Sequence, residues 1–266
     1  MEVLEIIGYV GALIVGVILG LMGGGGSIIT IPILTYLFHI SPITTTAYSL
    51  FVIGTSSSIG TLNNWNKGLI DYRMATVFSI PAFFAVYVVR KYLMPIIPLE
   101  ILTTNGYVIT KDMAIMIFFS VIMIFSATSM IRKKTFSTTN RISNQHNYPL
   151  IIFVGIIIGL ITGVIGIGGG FLIIPTLVLL LNIPMKKAVA TTLLIIAIKS
   201  LVGFLGDLGS TDINWRFLLI FTAISTIGIF FGINLSSYIK GVKLKKSFGW
   251  MLLLVSFMIL YKEIFI

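Results

Sequence analysis

Cysteine is absent from this 266-residue sequence, histidine occurs only twice, and charged side chains are scarce. The absence of cysteine excludes disulfides, thiolate metal sites and cysteine nucleophiles. No His, Asp and Glu residues have the spacing of metal ligands, so we expect neither a metal enzyme nor a cofactor. Charged residues form 10% of the chain, against about 25% in soluble domains. An ordinary water-facing surface is therefore excluded.

Long apolar runs take the place of the missing charges, since 57% of the residues are hydrophobic. The runs are apolar on every side, as in transmembrane helices, and lack the alternation that a membrane β-barrel requires. The sequence therefore predicts an all-α polytopic membrane protein. The expected segments, five in each half, lie near residues 4–22, 26–38, 43–63, 73–93, 113–131, 149–166, 169–182, 187–206, 215–239 and 247–265.

The two halves repeat one pattern at a constant offset of 143 residues, as between Pro32 and Pro175. The match continues without a gap over glycine, serine and arginine positions, which chance similarity between apolar runs does not explain. It includes the pairs Gly23 and Gly166, Gly26 and Gly169, Ser57 and Ser200, and Arg73 and Arg216. Internal duplication follows from this match.

Loop charges predict how the halves are oriented. The net charge of +10 lies mostly in short loops, where it sets membrane orientation and does not indicate nucleic-acid binding. Two loops contain basic residues without acidic ones, which is typical of the cytoplasmic side. They are the linker at 132–148 and the loop before the last segment, with Lys240, Lys243, Lys245 and Lys246.

An even number of crossings must separate these two loops, so each half makes an odd number and the repeats are inverted. We expect a first transmembrane repeat in residues 1–131, a cytoplasmic linker in 132–148 and a second repeat in 149–266, with the N-terminus outside. The predicted external loop at 90–112 fits this orientation less well, because it contains Arg90 and Lys91.

A glycine-rich stretch interrupts the apolar pattern once in each half. The segment after each stretch is too short to cross a hydrocarbon core of ~30 Å as a straight helix, so we expect broken or re-entrant helices near the midplane. Free N–H groups at such breaks bind anions, and we expect the two breaks to face each other across a substrate. The alternative is that the glycines only permit tight packing. The candidate binding residues here are Gly25, Gly26, Ser27, Gly168, Gly169 and Gly170.

The third segment of each half contributes further polar candidates. Helical spacing places Ser49, Ser56 and Asn63 on one face, and Lys199 lies at the position equivalent to Ser56. Most hydroxyls in membrane helices bond to their own backbone or hold helices together. The candidate binding residues in these segments are Ser49, Ser56, Ser57, Thr191, Thr192 and Lys199.

Lys199 lies about twelve residues into an otherwise apolar segment. A lysine at that depth is energetically costly and marks a functional site by default. An anionic substrate can serve as its partner; the alternatives are snorkelling, a carbonyl, or Asp207 at the segment end. Asn63, Arg73, Asp207 and Arg216 are candidates for gating or for helix capping, and interface anchoring is the simpler role for the two arginines.

Two motifs of the second half carry a resemblance to a known family: GIGGGFLIIP at residues 166–175 and AVATT at 188–192. Together they strongly resemble the sulfite exporter TauE/SafE family of membrane permeases, in which such motifs appear in both halves. The resemblance extends from about residue 8 to 262. The first copy departs from the pattern, with Ser27 where the second has Gly170.

The resemblance implies transport of small sulfur-containing or organic anions, such as sulfite, sulfoacetate or other sulfonates, across a prokaryotic cell membrane, and no catalysis. With inverted repeats we expect alternating access, probable direction being export in the sense of the family name, and the bilayer as the only other partner. An anion channel of the same fold and a membrane assembly factor without transport activity are the alternatives. The sequence permits a homo-oligomer without predicting one, since lipid-facing and partner-facing surfaces look alike.

Overall fold

The computed structural model describes residues 3–65, 67–98, 100–104, 107–132, 148–166, 168–208 and 212–265. Most of the predicted linker at 132–148 lies outside this range. The first half contains α1 (Val3–Met22), α2 (Gly25–Pro32, continued as a π-helix at Ile33–Leu37), α3 (Pro42–Trp65), α4 (Tyr72–Val88, continued as a π-helix at Val89–Leu93), α5 (Met94–Ile96) and α6 (Lys111–Ile131). The second half contains α7 (Tyr148–Ile165), α8 (Gly170–Pro175, continued as a π-helix at Thr176–Leu180), α9 (Met185–Asp207), α10 (Trp215–Tyr238) and α11 (Gly241–Phe265).

The helices confirm the predicted all-α membrane architecture. Six helical segments are long and apolar enough to cross a membrane: Tyr72–Ile96, Lys111–Ile131, Tyr148–Ile165, Met185–Asp207, Trp215–Tyr238 and Gly241–Ile264. Large apolar side chains such as Phe125, Phe231 and Leu254 are more than half exposed, as expected for a surface that contacts lipid. The protein is therefore a multi-pass membrane protein. A short antiparallel hairpin, β1 (Glu100–Thr104) with β2 (Tyr107–Thr110), connects α5 to α6.

Two predicted loops are wrong because they were assigned from charge alone. The last helix starts at Gly241, so Lys243, Lys245 and Lys246 lie on its first turns. Similarly, the helix that begins with α4 continues through Arg90, which is buried. Lysine and arginine are good helix formers, and their long aliphatic stems pack against apolar neighbours.

Helix bounds agree between the halves at the offset of 143 residues. The π-helices at Ile33–Leu37 and Thr176–Leu180 occupy equivalent positions, and each directly follows a proline. Proline lacks the N–H that an α-helix needs at that point, so the hydrogen-bond pattern changes there. The residues that end these segments, His39 and Asn182, are also equivalent and both have positive φ, at 52° and 54°.

The first glycine break reverses the chain. α2 runs back along α1: Gly26 packs against Leu19, and further along the pair Ile33 packs against Gly11. At 1.5 Å per residue, α2 with its π-helix is only ~20 Å long, shorter than a hydrocarbon core of ~30 Å. In the second half α8 packs mainly on α6 and α9, and a crevice separates its π-helix from the start of α7.

Helix packing is symmetric under exchange of the two halves. The contact between α1 and α10 has its equivalent in the contact between α7 and α4, and that between α3 and α10 in that between α9 and α4. Three further contacts join equivalent helices directly, namely α2 with α8, α3 with α9, and α6 with α11. α3 and α9 are therefore the central pair, and the residues of the candidate site lie on these two helices and beside the breaks.

Glycines allow the closest of these helix contacts. Gly16 and Gly20 of α1 face Gly228 and Gly232 of α10, and a Cβ atom on any of them would overlap backbone atoms of the partner helix. This arrangement of glycines four residues apart is the small-residue packing that membrane helices use to approach closely. The glycines outside the breaks are therefore packing residues.

Candidate functional site

The two glycine breaks meet in the interior of the molecule. Gly24 and Gly170 pack backbone to backbone, so that a Cβ atom on either residue would overlap the other. The breaks thus face each other, but the prediction that a substrate separates them is wrong for this conformation at Gly24 and Gly170. Only residues without side chains permit so close an approach.

The breaks differ in length and conformation. The first lies between Met22 and Gly25, and Ser27 closes it by donating a hydrogen bond of 2.6 Å to the carbonyl of Gly24. In the second, α8 begins only at Gly170, because Gly169 adopts a left-handed conformation with φ of 72°. Its equivalent Gly26 lies inside α2. The second break is therefore two residues longer and exposes more backbone to its neighbours.

Lys199 lies directly against the second break. Its side chain is fully buried, and Nζ donates a hydrogen bond of 2.9 Å to the hydroxyl of Thr162. A Cβ atom at Gly169 would overlap this Nζ. Among the described residues, no carboxylate lies within ion-pair distance of Lys199. The structure thus places a buried cation at the glycine stretch, as the sequence analysis expected of a site there.

Four buried hydroxyls of α3 and α9 make no hydrogen bond within the described part of the chain. They are Ser49 and Ser57 of α3 and Thr192 and Ser200 of α9. The four form two equivalent pairs, because Thr192 corresponds to Ser49 and Ser200 to Ser57. Ser200 also lies close to Gly168, at 3.2 Å from the position of a Cβ there. Buried hydroxyls nearly always find a partner, so four such groups at matched positions on the central helices are available to a ligand.

The remaining polar candidates have structural partners. Ser56, the equivalent of Lys199, contacts Ser225 at 3.3 Å and Thr226 at 3.4 Å across to α10. The hydroxyl of Thr191 accepts a hydrogen bond of 3.0 Å from the backbone N–H of Asp71. These two hydroxyls hold helices together, which is the commoner role of such groups in membranes. Gly25 packs on Ile18 of α1.

Arg90 is the residue that sequence reasoning missed. Its guanidinium is buried and forms an ion pair with Asp207, with Nη1 at 3.3 Å from Oδ2. Nη1 also donates a hydrogen bond of 3.0 Å to the hydroxyl of Thr46. The offset contained a signal for this position, because the equivalent residue Ile233 falls inside the predicted segment 215–239. Asp207, one of the alternative partners considered for Lys199, thus pairs with Arg90.

The other gating or capping candidates lie at helix ends. Arg73 and Arg216 are exposed on the first turns of α4 and α10, and Asn63 is half-buried near the end of α3. The structure does not bring these three to the glycine breaks. The caps of the two helices are the preceding residues, Asp71 and Asn214, which accept hydrogen bonds from the backbone N–H groups of Met74 and Phe217.

A groove opens at the end of α9 opposite Asp207. It encloses about 500 Å³, including its open mouth, between the end of α3, the start of α9 and the end of α10. Lys67 and Lys186 are exposed at this groove, and Asn64, Val189 and Ile233 line its inner part. Basic residues at its mouth suit an anionic solute. No group of three or more potential metal ligands occurs among the described residues.

A family model described as sulfite exporter TauE/SafE matches residues 9–259. The chain belongs to the TauE/SafE family. The match includes both glycine breaks, both central helices and the Arg90–Asp207 pair, so the residues described above are part of the shared family region. The resemblance of the motifs at 166–175 and 188–192 is thereby confirmed.

Several relatives carry the name of probable membrane transporter protein. YdhB of Bacillus subtilis (strain 168) is 25% identical over 238 residues, covering 88% of this chain and 91% of its own. A protein of Xylella fastidiosa (strain Temecula1) is 24% identical over 257 residues, covering 94% and 92%. A protein of Methanocaldococcus jannaschii is 36% identical over 107 residues, covering 38% of this chain and 40% of its own. No solved structure matches the chain. This TauE/SafE protein is thus a membrane transporter.

Proposed function

We propose that this transporter moves small sulfur-containing or organic anions, such as sulfite, sulfoacetate and other sulfonates, and that it exports them across a prokaryotic plasma membrane without catalysing a reaction. The description of the family supports sulfite as the first candidate. One observation carries the proposal: a fully buried lysine ammonium, which no described carboxylate neutralises, lies beside the second glycine break.

The chemistry around Lys199 suits an oxyanion. A buried ammonium is strongly destabilised unless an opposite charge or several hydrogen-bond acceptors compensate it. Sulfite and sulfonates supply a negative charge and three oxygens, and each oxygen requires donors. The hydroxyls of Ser57, Thr192 and Ser200 on the central helices have no partner within the described residues and can donate to such oxygens.

The substrate is expected to lie closer to the second half than to the first. Lys199 has Ser56 as its equivalent, and Ser56 is already bonded to α10. The second break also has backbone in an extended loop at Gly168 and Gly169, whereas the first closes onto Ser27. Backbone N–H groups of the longer break would add donors for the anion.

Alternating access follows from the symmetric helix pairing if the repeats are inverted. The packing of equivalent helices supports a two-fold relation between the halves, and the charges of the linker and of residues 240–246 favour opposite orientations. On this basis the groove with Lys67 and Lys186 opens toward the cytoplasm. We propose residues 1–131 and 149–266 as the two repeats, with the chain acting alone or as a homo-oligomer.

Sulfite flux in proteoliposomes tests the proposal. The variant Lys199→Gln should lower sulfite affinity by about one to two orders of magnitude, the size of a lost charge-assisted hydrogen bond. The purified wild type should also gain thermal stability with sulfite, and the variant should not, because ligand binding to the folded state raises apparent stability. Thiosulfate, sulfoacetate, taurine and simple carboxylates extend the comparison to other anions.

The matched control is Lys187→Gln, which removes an exposed charge from the first turn of the same helix. It should transport and bind as the wild type does. Unchanged sulfite binding and flux in Lys199→Gln would exclude Lys199 from the site. Steady electrical conductance without saturation would contradict alternating access and indicate an anion channel. Absence of flux with a tightly co-purifying protein would indicate the assembly role.

A further inference from the structure

The ion pair between Arg90 and Asp207 occupies one end of the central helix pair. Arg90 is 2% exposed and Asp207 is 4% exposed. The guanidinium also bonds to Thr46 of α3, so the pair ties the end of α4 to both central helices. A Cβ atom at Gly166 would overlap Nη2 of Arg90. The pair therefore closes onto the first residue of the second glycine break.

The equivalent position in the other half is open. At the offset of 143 residues, Arg90 corresponds to Ile233, Asp207 to Asn64, and Thr46 to Val189. These three residues line the groove. Gly23 packs against Val189 as its equivalent Gly166 packs against Thr46, so the correspondence holds in three dimensions. One place in the repeated architecture is thus filled by an ion pair in one copy and open to solvent in the other.

Lys199 lies between the two places. At 1.5 Å per residue, it is ~15 Å along α9 from Val189 in the groove and ~12 Å from Asp207. Both Lys199 and Arg90 touch the same break, at Gly169 and Gly166 respectively. An anion that moves from the groove past Lys199 and continues along α9 therefore meets Arg90 next.

Arg90 has unused donors for an anion. Its Nε and Nη2 are buried and have no hydrogen-bond partner among the described residues, and Nη2 is the atom closest to the break at Gly166. A guanidinium offers a planar fork that matches two oxygens of an oxyanion, whereas Asp207 is engaged through Nη1 alone. A sulfite or sulfonate group can thus contact Arg90 from the side opposite to Asp207.

We propose that Arg90 is a second anion-binding residue of the transport path and that its ion pair with Asp207 is the gate closed in this conformation. The anion reaches Arg90 after Lys199 and competes with Asp207 for the guanidinium, which releases α4 from α9 and opens the path. The inference rests on the proposed function, because it takes a small oxyanion as the substrate of the same path.

Thiol labelling tests the gate without any substrate, since the chain contains no native cysteine. Thr46→Cys reports the closed place, and Val189→Cys is its matched equivalent in the groove. In detergent, a hydrophilic maleimide should label Val189→Cys and leave Thr46→Cys almost unlabelled. Removing both charges together, in Arg90→Gln with Asp207→Asn, should raise the labelling rate of Thr46→Cys by about tenfold or more, because no buried charge is left to hold α4 to α9.

Arg90→Lys serves where the double variant does not fold. Lysine retains the charge opposite Asp207 but loses the planar fork and its bond to Thr46, so labelling of Thr46→Cys should rise by about twofold to fivefold. Labelling that stays at the wild-type rate in every folded variant would overturn the gate and leave Arg90–Asp207 as a structural ion pair.

Transport and binding measurements separate this inference from the proposed function. Arg90→Lys should slow sulfite flux by about tenfold while sulfite still raises the unfolding temperature, because the first binding residue, Lys199, is intact. Wild-type flux in Arg90→Lys would overturn the second binding role, and loss of sulfite stabilisation would place Arg90 in the first site instead. If sulfite neither binds to nor crosses with the wild type, the proposed function fails, and the labelling result still decides the gate.

Discussion

In the first half, the glycine break joins two helices that pack on each other, whereas in the second half it lies against two buried cations. Gly26 packs on Leu19 of the preceding helix, and its equivalent Gly169 packs on Lys199. The difference shows that duplication preserved the helix scaffold and left the break free to take a different role in each copy. Packing glycines hold the first half together, and the second break lies at the candidate site.

The same contrast holds at the two ends of the central helix pair. One end is closed by Arg90 and Asp207, and the equivalent residues Ile233 and Asn64 leave the other end open as a groove. A symmetric scaffold can thus display a closed and an open side at once, because the two copies differ in a few side chains. Alternating access requires that these two sides exchange their states.

The largest effect is expected where the two breaks touch. Gly24→Ala or Gly170→Ala would drive a methyl group into the backbone of the opposite half, which cannot rotate away. We expect sulfite flux to fall to background and the protein to lose about 1–3 kcal/mol of stability, as overpacked sites do. Flux in proteoliposomes and thermal unfolding measure the two effects.

Gly241→Ala is the control for that prediction, because its nearest neighbour, the Cβ of Met185, would lie 3.3 Å from the new methyl group. This variant should fold and transport normally. Normal flux in both break variants would show that the contact between the halves is dispensable for transport.

A smaller effect should separate the two breaks from each other. Gly169→Ala forces an alanine into a left-handed conformation beside Lys199, so we expect sulfite affinity to fall by about tenfold with a stability loss of about 1 kcal/mol. Gly26→Ala instead overlaps Leu19 and the carbonyl of Val15 within the first half. It should lower the unfolding temperature more and change the sulfite affinity of the folded protein less.

Thermal unfolding with and without sulfite measures both quantities in one experiment. Equal loss of sulfite affinity in Gly169→Ala and Gly26→Ala would show that the two breaks contribute alike to binding, and the functional contrast between the halves would then be lost.

The smallest effects are expected at the hydroxyls. Ser200→Ala removes a buried hydroxyl that has no partner among the described residues, so we expect unchanged or slightly higher stability together with weaker sulfite binding. Ser27→Ala removes the hydrogen bond to Gly24 and should cost about 1 kcal/mol of stability. Opposite signs of the stability change are the expected result, and calorimetric unfolding resolves them. A stability loss in Ser200→Ala would indicate that this hydroxyl has a structural partner.

Much of the fold followed from local patterns. Long apolar runs define membrane helices, and the segments ending near Met22, Pro175 and Tyr238 agree with the structure within a few residues. The errors arose where a charge was taken as the end of a helix. Arg90 continues the helix that begins at Tyr72, and α11 starts six residues earlier than predicted because Leu244 and Phe248 already belong to its buried face.

The candidate site was only partly predictable. Lys199 and the glycine breaks were found because a charge in an apolar run and a cluster of glycines are visible in the sequence itself. The sequence also held Ser57 and Ser200, but nothing local distinguishes a hydroxyl without a partner from one bonded to its own helix, as in Thr61. The pairing of Arg90 with Asp207 was missed because 117 residues separate them.

The sequence by itself determined the membrane class, the duplication and the position of a deep lysine, because hydrophobicity, repeat spacing and charge are properties of each segment alone. The tertiary structure alone decided that Gly24 touches Gly170, that Arg90 pairs with Asp207, and that the two ends of the central helices differ. These contacts depend on which helices pack together, and helix packing is a property of the whole molecule.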